Sequence, residues 1–479
     1  MSAPLILGTN SIKDVGYNVD NSAMFNRADG AYMDRTFSSA GNRDKWTYSL
    51  WVKKCKNGVE QRLLTTSDNA TFDDNIRFNS DDSFNIICNN TTVLKTNRLF
   101  RDPSAWFHIC VIWDSGNATS GDRCQLWING VRETSFSTES YPSQNQDSFI
   151  NNNTRHYIGV TNVTANSHFF DGYLTEVVFQ NDSAETPVDK FGSYDEDSGI
   201  WKPIDVSGLT FGTNGFYLDF EDSSALGNDV SGNDNDFTVN NLTSIDQTTD
   251  TPTNNYPLIN ILQNYNSQTI SEGNTKFITT SNSAGHKQIG TTFGVDTGKW
   301  YWEVKGAVTG NDAGVGISSE NVLNKPSNLT GSDGHIGDDP ESWGYFSTTG
   351  NIVNNNSGSS YGDSWNTEII GVALDLDNSK LYFSKSGTWQ NSGDPESGAT
   401  GTGAISIDAV SSTTLGAYFF AVGAYHYTPR YNFHANFGNG YFGTTAVSSA
   451  GTNASNIGIF EYDVPAGYTA LSTKGINSF

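Results

Sequence analysis

Carboxylates spaced for glycoside hydrolysis are the first chemistry to test in this chain. Retaining glycosidases that hold their acids on one strand use the run Glu-x-Asp-x-x-Glu, because alternation then points the carboxylates into one cleft, about 5 Å apart. Glu461-Tyr-Asp463 supplies the first half of that run, but Ala466 stands where the second glutamate is needed. The seven histidines are scattered, and neither His-Glu-x-x-His nor a phosphate-binding loop occurs. The sequence predicts no catalytic role.

Metal binding is the second chemistry, because five aspartates crowd one glycine-containing segment. They are Asp219, Asp222, Asp229, Asp234 and Asp236. A hard cation such as Ca²⁺ takes about six to eight oxygens, but the spacing is not that of an EF-hand loop and its terminal glutamate is missing. Asp- and Asn-rich segments also form hydrogen-bonded turns, so a calcium site and a set of Asx-turns both remain open. The same alternatives apply to a second group, Asp333, His335, Asp338 and Asp339.

Composition predicts an almost entirely β chain. Charged residues make up 16% of the 479 residues and aromatic residues 13%, with 48 glycines, which suits sheets joined by turns. The net charge of −25 repels nucleic acid and anionic membranes, so neither is predicted as a partner. The first residues lack a basic region and a long apolar core, and no apolar run approaches about 18 residues, so neither a secretory signal nor membrane insertion is expected.

The four cysteines lie in the first third of the chain and lack metal-ligand spacing. They are Cys55, Cys88, Cys110 and Cys124. We expect buried free thiols, while one or two disulfides remain open.

Strand signals fill residues 25–180. Asn129-Gly130 between apolar flanks predicts a type I′ hairpin turn. In Trp106–Trp113 apolar side chains occur at both odd and even positions, so both faces of the strand are apolar. This pattern predicts a central strand covered on both faces. Together with Trp46–Lys53, Gln125–Arg132 and Phe169–Phe179, taken in order, this block resembles the concanavalin A-like, laminin-G-like jelly rolls. The resemblance implies a β-sandwich of about 155 residues.

Residues 181–255 shift to Asp, Asn, Ser, Thr and Gly, which predicts a connector with little core of its own. The run Leu218–Asp236, extended by Thr249–Asn255, resembles a connector found in structural proteins of tailed bacteriophages. The segment Val464–Gly475 resembles endings of bacteriophage SPRY-like proteins.

Residues 256–445 carry the second resemblance. Glu368–Gly387 predicts two strands around a turn at Asp377-Asn378-Ser379, where Asp and Asn tolerate positive φ. With Thr297–Lys305, Ala313–Ser318 and Ser342–Phe346, it resembles the SPRY family of β-sandwich recognition domains, which bind partners through loops. The predicted organisation is therefore an extension (1–24), a jelly roll (25–180), a connector (181–255), a SPRY-like domain (256–445) and a tail (446–479).

Aromatic residues mapped to the SPRY-like loops are the candidate ligand-binding residues, because rings beside polar groups can stack on sugars. They are Tyr345, Tyr361, Trp389, Tyr425, His426 and Tyr427. Trp343 and Trp365, in short strands beside glycine or aspartate, are expected to be structural.

The resemblances imply a virion protein of a tailed bacteriophage, assembled in the host cytoplasm and standing at the particle surface in a tail fibre or related appendage. Expected partners are other virion proteins and a host-surface glycan or protein, with a trimer or multicopy arrangement and no obligatory cofactor. A capsid decoration protein and a glycan depolymerase are the alternatives. Oligosaccharide release would identify the depolymerase, and contact with shell protein alone would identify the decoration protein.

Overall fold

The structure is a computed structural model that describes residues 16–67, 73–162, 167–264, 268–279, 287–308, 313–319, 335–414, 416–424 and 431–478. The chain divides into two compact units, with the boundary between Asn255 and Tyr256. Paired antiparallel sheets dominate both units, which confirms the prediction of two β-sandwiches. The α-helix α1 is the four-residue turn Thr473–Ile476.

The strands of the first unit are β1 (Ser22–Phe25), β2 (Tyr32–Thr36), β3 (Lys45–Lys54), β4 (Gln61–Ser67), β5 (Asp73–Phe78), β6 (Ser83–Cys88), β7 (Thr91–Leu99), β8 (Trp106–Asp114), β9 (Cys124–Ile128), β10 (Val131–Arg132), β11 (Phe136–Glu139), β12 (Arg155–Ile158), β13 (Gly172–Asn181), β14 (Gly192–Tyr194), β15 (Trp201–Pro203), β16 (Phe216–Leu218), β17 (Thr238–Asn240) and β18 (Gln247–Thr248). Sheet A has the order β10-β9-β8-β3-β13-β1-β18, with β16 beside β13. Sheet B has the order β11-β7-β6-β5-β4-β12-β2-β17, and β14 pairs with β15.

The strands of the second unit are β19 (Thr269–Ser271), β20 (Lys276–Ile278), β21 (Lys287–Val295), β22 (Lys299–Val308), β23 (Ala313–Ser318), β24 (Ser342–Phe346), β25 (Asn351–Asn354), β26 (Ser357–Ser360), β27 (Ile369–Asp375), β28 (Lys380–Lys385), β29 (Thr388–Trp389), β30 (Ile405–Ser406), β31 (Tyr418–Ala424), β32 (Tyr431–Asn436), β33 (Tyr441–Phe442), β34 (Thr445–Ala446) and β35 (Thr469–Ala470). Sheet C has the order β19-β20-β32-β22-β27-β28-β29, with β30 beside β28 and β35 beside β22. Sheet D has the order β21-β31-β23-β24-β25-β26, and β33 pairs with β34.

The short 3-10 helices are Arg27–Asp29, Ser120–Asp122, Ser244–Asp246, Ile261–Gln263, Gln390–Ser392, Pro395–Thr400 and Val410–Ser412. No helix of the described residues is long and apolar enough to cross a membrane.

Sheet A is covered on both faces. Alternation along β3 places Tyr48, Leu50 and Val52 in the core between sheets A and B. On the opposite face, Cys110 and Ile112 of β8 pack in a smaller cluster with apolar residues from beyond position 183. This arrangement confirms the prediction that β8 is a central strand buried on both faces.

Residues 181–255 pack far more core than their composition suggests. Strand β16 pairs with β13, and β17 pairs with β2. The buried side chains of Phe216 and Leu218 join the core between the sheets, while Phe211 and Tyr217 join the cluster on the other face of sheet A. Alternating apolar residues of this polar segment therefore pack into two different cores, one between the sheets and one on the outer face of sheet A.

The two predicted hairpins form, with one difference in the turn. Asn129 and Gly130 have φ of 49° and 74°, as a type I′ turn requires. In the β27–β28 hairpin the left-handed residue is Ser379, with φ of 55°. Asn378 donates from its backbone N and its Nδ2 to the carboxylate of Asp375, at 3.0 and 2.8 Å. These bonds hold the first part of the turn and shift the positive φ to Ser379.

All four cysteines are buried free thiols, as expected. Burial raises the pKa of each thiol, so the thiolate form is disfavoured.

Candidate functional site

A cleft at the edge of sheet B is the strongest candidate for ligand binding in the described residues. It has a volume of about 610 Å³. The turn between β1 and β2, the start of β2, the loop before β13 and the end of β17 build its walls. Its lining residues are Arg27, Ala28, Asp29, Gly30, Tyr32, Phe169, Asn240 and Asn241. Because β17 is the last strand of sheet B, the cleft lies at an end of that sheet.

The turn between β1 and β2 is fixed by its own hydrogen bonds. The Oδ1 atom of buried Asn26 accepts from the backbone N of Ala28 at 3.3 Å, and its Nδ2 donates to Asp29 Oδ2 at 2.7 Å. Gly30 follows with φ of 68°, and a Cβ there would lie 3.3 Å from the ring of Phe169. Glycine is therefore favoured both by the left-handed backbone and by the close approach of the ring.

Two half-buried aromatic rings form the apolar part of the cleft. The ring centroids of Tyr32 and Phe169 are 6.4 Å apart, with their planes tilted by 43°. Arg27 fixes the backbone beside the second ring, because its Nη1 donates to the backbone carbonyl of Phe169 at 2.6 Å and to that of Glu60 at 3.2 Å. The backbone of Tyr32 is fixed by strand β2, so both rings project from ordered backbone, which lowers the ordering cost of binding a ligand.

Side-chain amides form the polar part. Asn240 Nδ2 donates to Asp34 Oδ1 at 2.9 Å. Asn241 Nδ2 donates to the backbone carbonyls of Asp29 and Gly30, at 2.9 and 3.2 Å. These bonds fix the orientation of both amides and leave their Oδ1 atoms, together with Asp29 Oδ1, as acceptors for a ligand.

The hydroxyl of Tyr32 supplies a donor. Burial and the nearby carboxylate of Asp34 raise its pKa above the usual value near 10 for tyrosine, so the phenol stays protonated. His168, next to Phe169 in sequence, has its pKa lowered, chiefly by burial, and is therefore more often neutral. The cleft thus offers aromatic faces, several acceptors and one phenol donor.

This set of groups suits a hydroxyl-rich ligand. Aromatic rings can pack against the apolar face of a sugar while amide and carboxylate oxygens accept from its hydroxyls. Among the described residues that line the cleft, Asp29 is the single carboxylate. Glycoside hydrolysis by the common mechanisms uses two carboxyl groups, and these lining residues supply one.

A second cleft, of about 580 Å³, is more fully occupied by internal contacts. Its lining residues are Arg43, Cys88, Asn89, Thr91, Val93, Ser140, Tyr141, Pro142, Ser143, Gln146, Asp147 and Phe149. The guanidinium of Arg43 covers the ring of Phe149 at 5.3 Å and pairs with Asp147 at 3.0 Å. The hydroxyl of Tyr141 donates to Glu139 at 2.9 Å. These contacts occupy the face of the Phe149 ring, the Arg43 guanidinium and the Tyr141 hydroxyl.

The aromatic residues predicted in the SPRY-like loops do not form an exposed platform. Tyr345 is 0% exposed and Tyr361 8%, and both rings lie in the core of the second unit. The hydroxyl of Tyr361 accepts from the backbone N of Phe383 at 3.2 Å. Placing these two rings among surface residues was therefore wrong, because they lie among aromatic neighbours inside the sandwich.

Trp389 is half-buried at the margin of the same core, where its ring meets those of Tyr301 and Tyr382 edge-on. Tyr425, His426 and Tyr427 lie outside the described residues. Trp343 and Trp365 are each 4% exposed, which confirms their structural assignment.

The aspartates of residues 219–236 serve turns. Asp229 accepts from the backbone N atoms of Tyr217, Ser231 and Asn235, at 2.8, 2.9 and 2.8 Å, and from Ser231 Oγ at 2.9 Å. Asp219 and Asp222 accept from backbone N atoms two residues further on. Asp236 accepts from the N of Asp229 at 2.9 Å, and Asp234 has a positive φ of 55°.

No three His, Cys, Asp or Glu side chains converge on a metal position anywhere in the described ranges. The five aspartates are thus not brought together as such a group, and their hydrogen bonds are those of turns. The calcium site stays a prediction. The second acidic group includes Asp333, which lies outside the described residues.

The half-run Glu461-Tyr-Asp463 also has a structural use. Glu461 accepts from the backbone N of Ser448 at 2.6 Å, and Asp463 accepts from the N of Thr452 at 2.6 Å. The backbone N atoms of Glu461 and Tyr462 in turn donate to buried Glu303, at 2.8 and 2.9 Å. This network attaches the tail to β22.

Sequence reasoning missed the cleft because its parts come from three separate regions of the chain, between Arg27 and Asn241. The Asn26–Gly30 turn carried a local signal, an asparagine cap followed by a glycine at the left-handed position. Nothing local connects that turn to Phe169 or Asn240. The pairing of β17 with β2 brings in Asn240, and the pairing of β13 with β1 brings in the segment that carries Phe169.

Comparisons with known proteins identify two domains. A family model described as "SPRY domain" matches residues 299–400. A model described as "Concanavalin A-like lectin/glucanases superfamily" matches residues 28–186. The chain therefore contains a concanavalin A-like, laminin-G-type domain and a SPRY domain, both lectin-like or binding folds. No curated protein matches the chain.

Solved structures resemble parts of the chain. The stonustoxin structure is 17% identical, covers 38% of this chain and 27% of its own, and has a TM-score of 0.29. A putative carbohydrate binding protein from Bacteroides ovatus is 12% identical, with 47% and 59% covered and a TM-score of 0.32. The TRIM65 PSpry domain is 15% identical, with 37% and 87% covered and a TM-score of 0.28. The chain thus spans less than two thirds of the first two.

Proposed function

We propose that this chain is a non-enzymatic attachment protein that binds neutral, hydroxyl-rich glycan in the Tyr32–Phe169 cleft. The observation that carries the proposal is the combination of two half-buried aromatic rings with the amide and carboxylate acceptors of Asn240, Asn241 and Asp29. The acceptors favour hydroxyl donors, and the net charge of −25 disfavours acidic polysaccharides. The proposal requires no cofactor.

The same proposal places the protein on a tailed-phage virion, in a tail fibre or appendage that contacts the host envelope. Support comes from the resemblance of residues 218–236 and 464–475 to segments of phage structural proteins. A single shallow cleft binds a sugar weakly, and linked copies turn later contacts into intramolecular ones. A trimer or multicopy arrangement would raise the overall affinity in this way.

The test is binding of the full chain to immobilised host-envelope polysaccharides, with neutral and acidic glycans compared in parallel. We expect retention on a neutral glycan with no oligosaccharide released. Release of oligosaccharides would overturn the non-enzymatic assignment and favour a depolymerase. Absence of glycan binding together with binding to purified shell subunits would overturn attachment and favour a decoration protein. Immunogold microscopy of purified particles tests the location, with label at a tail appendage expected and label over the shell contradicting it.

A further inference from the structure

A fully buried lysine lies on the face of sheet A opposite the inter-sheet core. Lys53 of β3 is 0% exposed, and its direct neighbours across the sheet are Tyr173 of β13 and Trp106 of β8. The Nζ atom of Lys53 lies 5.8 Å from the centroid of the Tyr173 ring. Aromatic side chains from both adjacent strands therefore flank the amine and shield it from water.

Two side chains from the end of the first unit meet this amine. Lys53 Nζ lies 2.7 Å from Asp250 Oδ2 and 2.6 Å from Asn255 Oδ1, and these residues are 1% and 8% exposed. Trp106 Nε1 donates to Asp250 Oδ1 at 2.8 Å, which fixes the carboxylate. Asn255 Nδ2 donates to the carbonyl of Ser104 at 2.8 Å, which fixes the amide. An amine, a carboxamide and a carboxylate thus converge in a dry site.

We propose that Lys53 and Asn255 form an intramolecular isopeptide bond, with Asp250 as the general acid–base. The Lys53 ammonium gives a proton to Asp250 along their hydrogen bond, and the neutral Nζ attacks Cγ of Asn255. A bond forms between Nζ and Cγ, Asp250 passes its proton to Nδ2, and the bond between Cγ and Nδ2 breaks. Nζ then gives its second proton to Asp250 and keeps the single hydrogen of the new amide. Ammonia is released, the amide has exchanged one nitrogen for another, and no oxidant or external reagent is needed.

The physical setting favours each part of this step. The hydrogen bond of 2.7 Å between Lys53 Nζ and Asp250 Oδ2 gives the proton a direct path from the amine to the carboxylate. Fixed neighbours hold the reacting groups together, which replaces a bimolecular encounter with an intramolecular one. Exclusion of water prevents hydrolysis of the carboxamide from competing.

Lys54, the next residue, provides a comparison within the same molecule. It is also buried, and its Nζ pairs with Asp82 at 2.6 Å. It also donates to the backbone carbonyl of Phe100 at 3.0 Å and lies 5.2 Å from the centroid of the Phe78 ring. Among the described residues it therefore meets an acid but no carboxamide. Lys54 is therefore expected to remain a free amine.

The bond would connect a central strand of sheet A to the last residue of the first unit. It closes a loop between positions 202 residues apart, which removes much of the conformational freedom of the unfolded chain. Tension entering from Tyr256 would pass through Asn255 directly to β3, and residues 181–255 would not be peeled away. This consequence does not depend on what the cleft binds.

The test is the intact mass of the purified full chain, followed by tryptic peptide mapping. We expect a mass one ammonia below that of the sequence with its measured N-terminus, and a branched peptide joining Lys53 to Asn255. Trypsin should cleave after Lys54 but not after Lys53. Asp250→Asn, which keeps both bond-forming residues, and Asn255→Ala should both show the full sequence mass.

An unmodified wild-type chain, with free Lys53 and Asn255 peptides, would overturn the proposal and leave a buried ion pair. Loss of one water with a Lys53–Asp250 link would overturn Asn255 as the acceptor. Both outcomes are measured on the wild-type chain, so they test the proposal even if a variant fails to fold.

Discussion

The two units use aromatic side chains in opposite ways. In the first unit, Tyr32 and Phe169 are half-buried and line an open cleft. In the second, Tyr345 and Tyr361 lie inside the sandwich. Tyr345 belongs to β24, an interior strand of sheet D, whereas Tyr32 lies opposite the edge strand β17. The difference teaches that position in the sheet, and not residue type, decides whether a ring can contact a ligand.

Removing a ring of the second unit should produce the largest effect on stability. Tyr345 lies within about 6 Å of three rings, those of Tyr361, Trp365 and Phe383, and its hydroxyl donates to the carbonyl of Asp363. We expect Tyr345→Ala to lower the free energy of unfolding by about 3–5 kcal/mol, measured by urea titration of the full chain. The control Tyr345→Phe should cost only about 0.5–1.5 kcal/mol. Equal and small losses for both variants would place this ring at the surface.

A change of pH should reveal one buried glutamate in each unit. Burial raises the pKa of Glu176 to about 8 and that of Glu303 to about 7, from 4.5. Both folded pKa values lie above the unfolded value, so the folded state binds the protons of these two carboxyls more tightly than the unfolded state does. Their contribution to the free energy of unfolding is fully present below pH 4.5 and is lost as pH rises through 7 and 8. Thermal melting of the full chain should therefore show stability falling over this range.

Matched variants assign the two parts of this pH dependence. Glu303→Gln should remove the part of the fall that ends near pH 7, and Glu176→Gln the part that ends near pH 8. A profile that both variants leave unchanged would show that neither carboxyl is protonated on folding.

Aspartates of residues 219–236 should differ according to the hydrogen bonds they accept. Asp229 is 6% exposed and accepts four bonds, so we expect Asp229→Ala to cost about 1–3 kcal/mol. Asp222 is exposed, and Asp222→Ala should cost less than about 1 kcal/mol. Adding a calcium chelator should not shift the melting temperature of either variant. A chelator-dependent drop would support a metal role for this segment.

The sequence predicted the sheets well because strand patterns are local. The strand signal of Trp46–Lys53 and the Asn129-Gly130 turn depend on local backbone geometry, and both formed as expected. The sandwich class followed from those elements taken in order.

The site was not predictable in the same way. The prediction that Tyr345 is a loop residue assumed that its strand is short and lies at the edge of a sheet. Its burial is decided by neighbours such as Phe383 that are distant in sequence. The cleft depends on β17 returning to β2, and the polar composition of residues 181–255 hid that pairing. Long-range pairing, which no local pattern encodes, therefore determined both the misplaced rings and the missed site.

Affinity of the full chain for a neutral envelope polysaccharide tests the central claim most directly, with Tyr32→Ala and Trp389→Ala compared against wild type. The account predicts that Tyr32→Ala weakens binding about tenfold or more, which corresponds to about 1.4 kcal/mol, with little loss of stability. Trp389→Ala should bind like wild type. Unchanged affinity in Tyr32→Ala, or a selective loss in Trp389→Ala, would contradict the assignment of the binding site to the first unit.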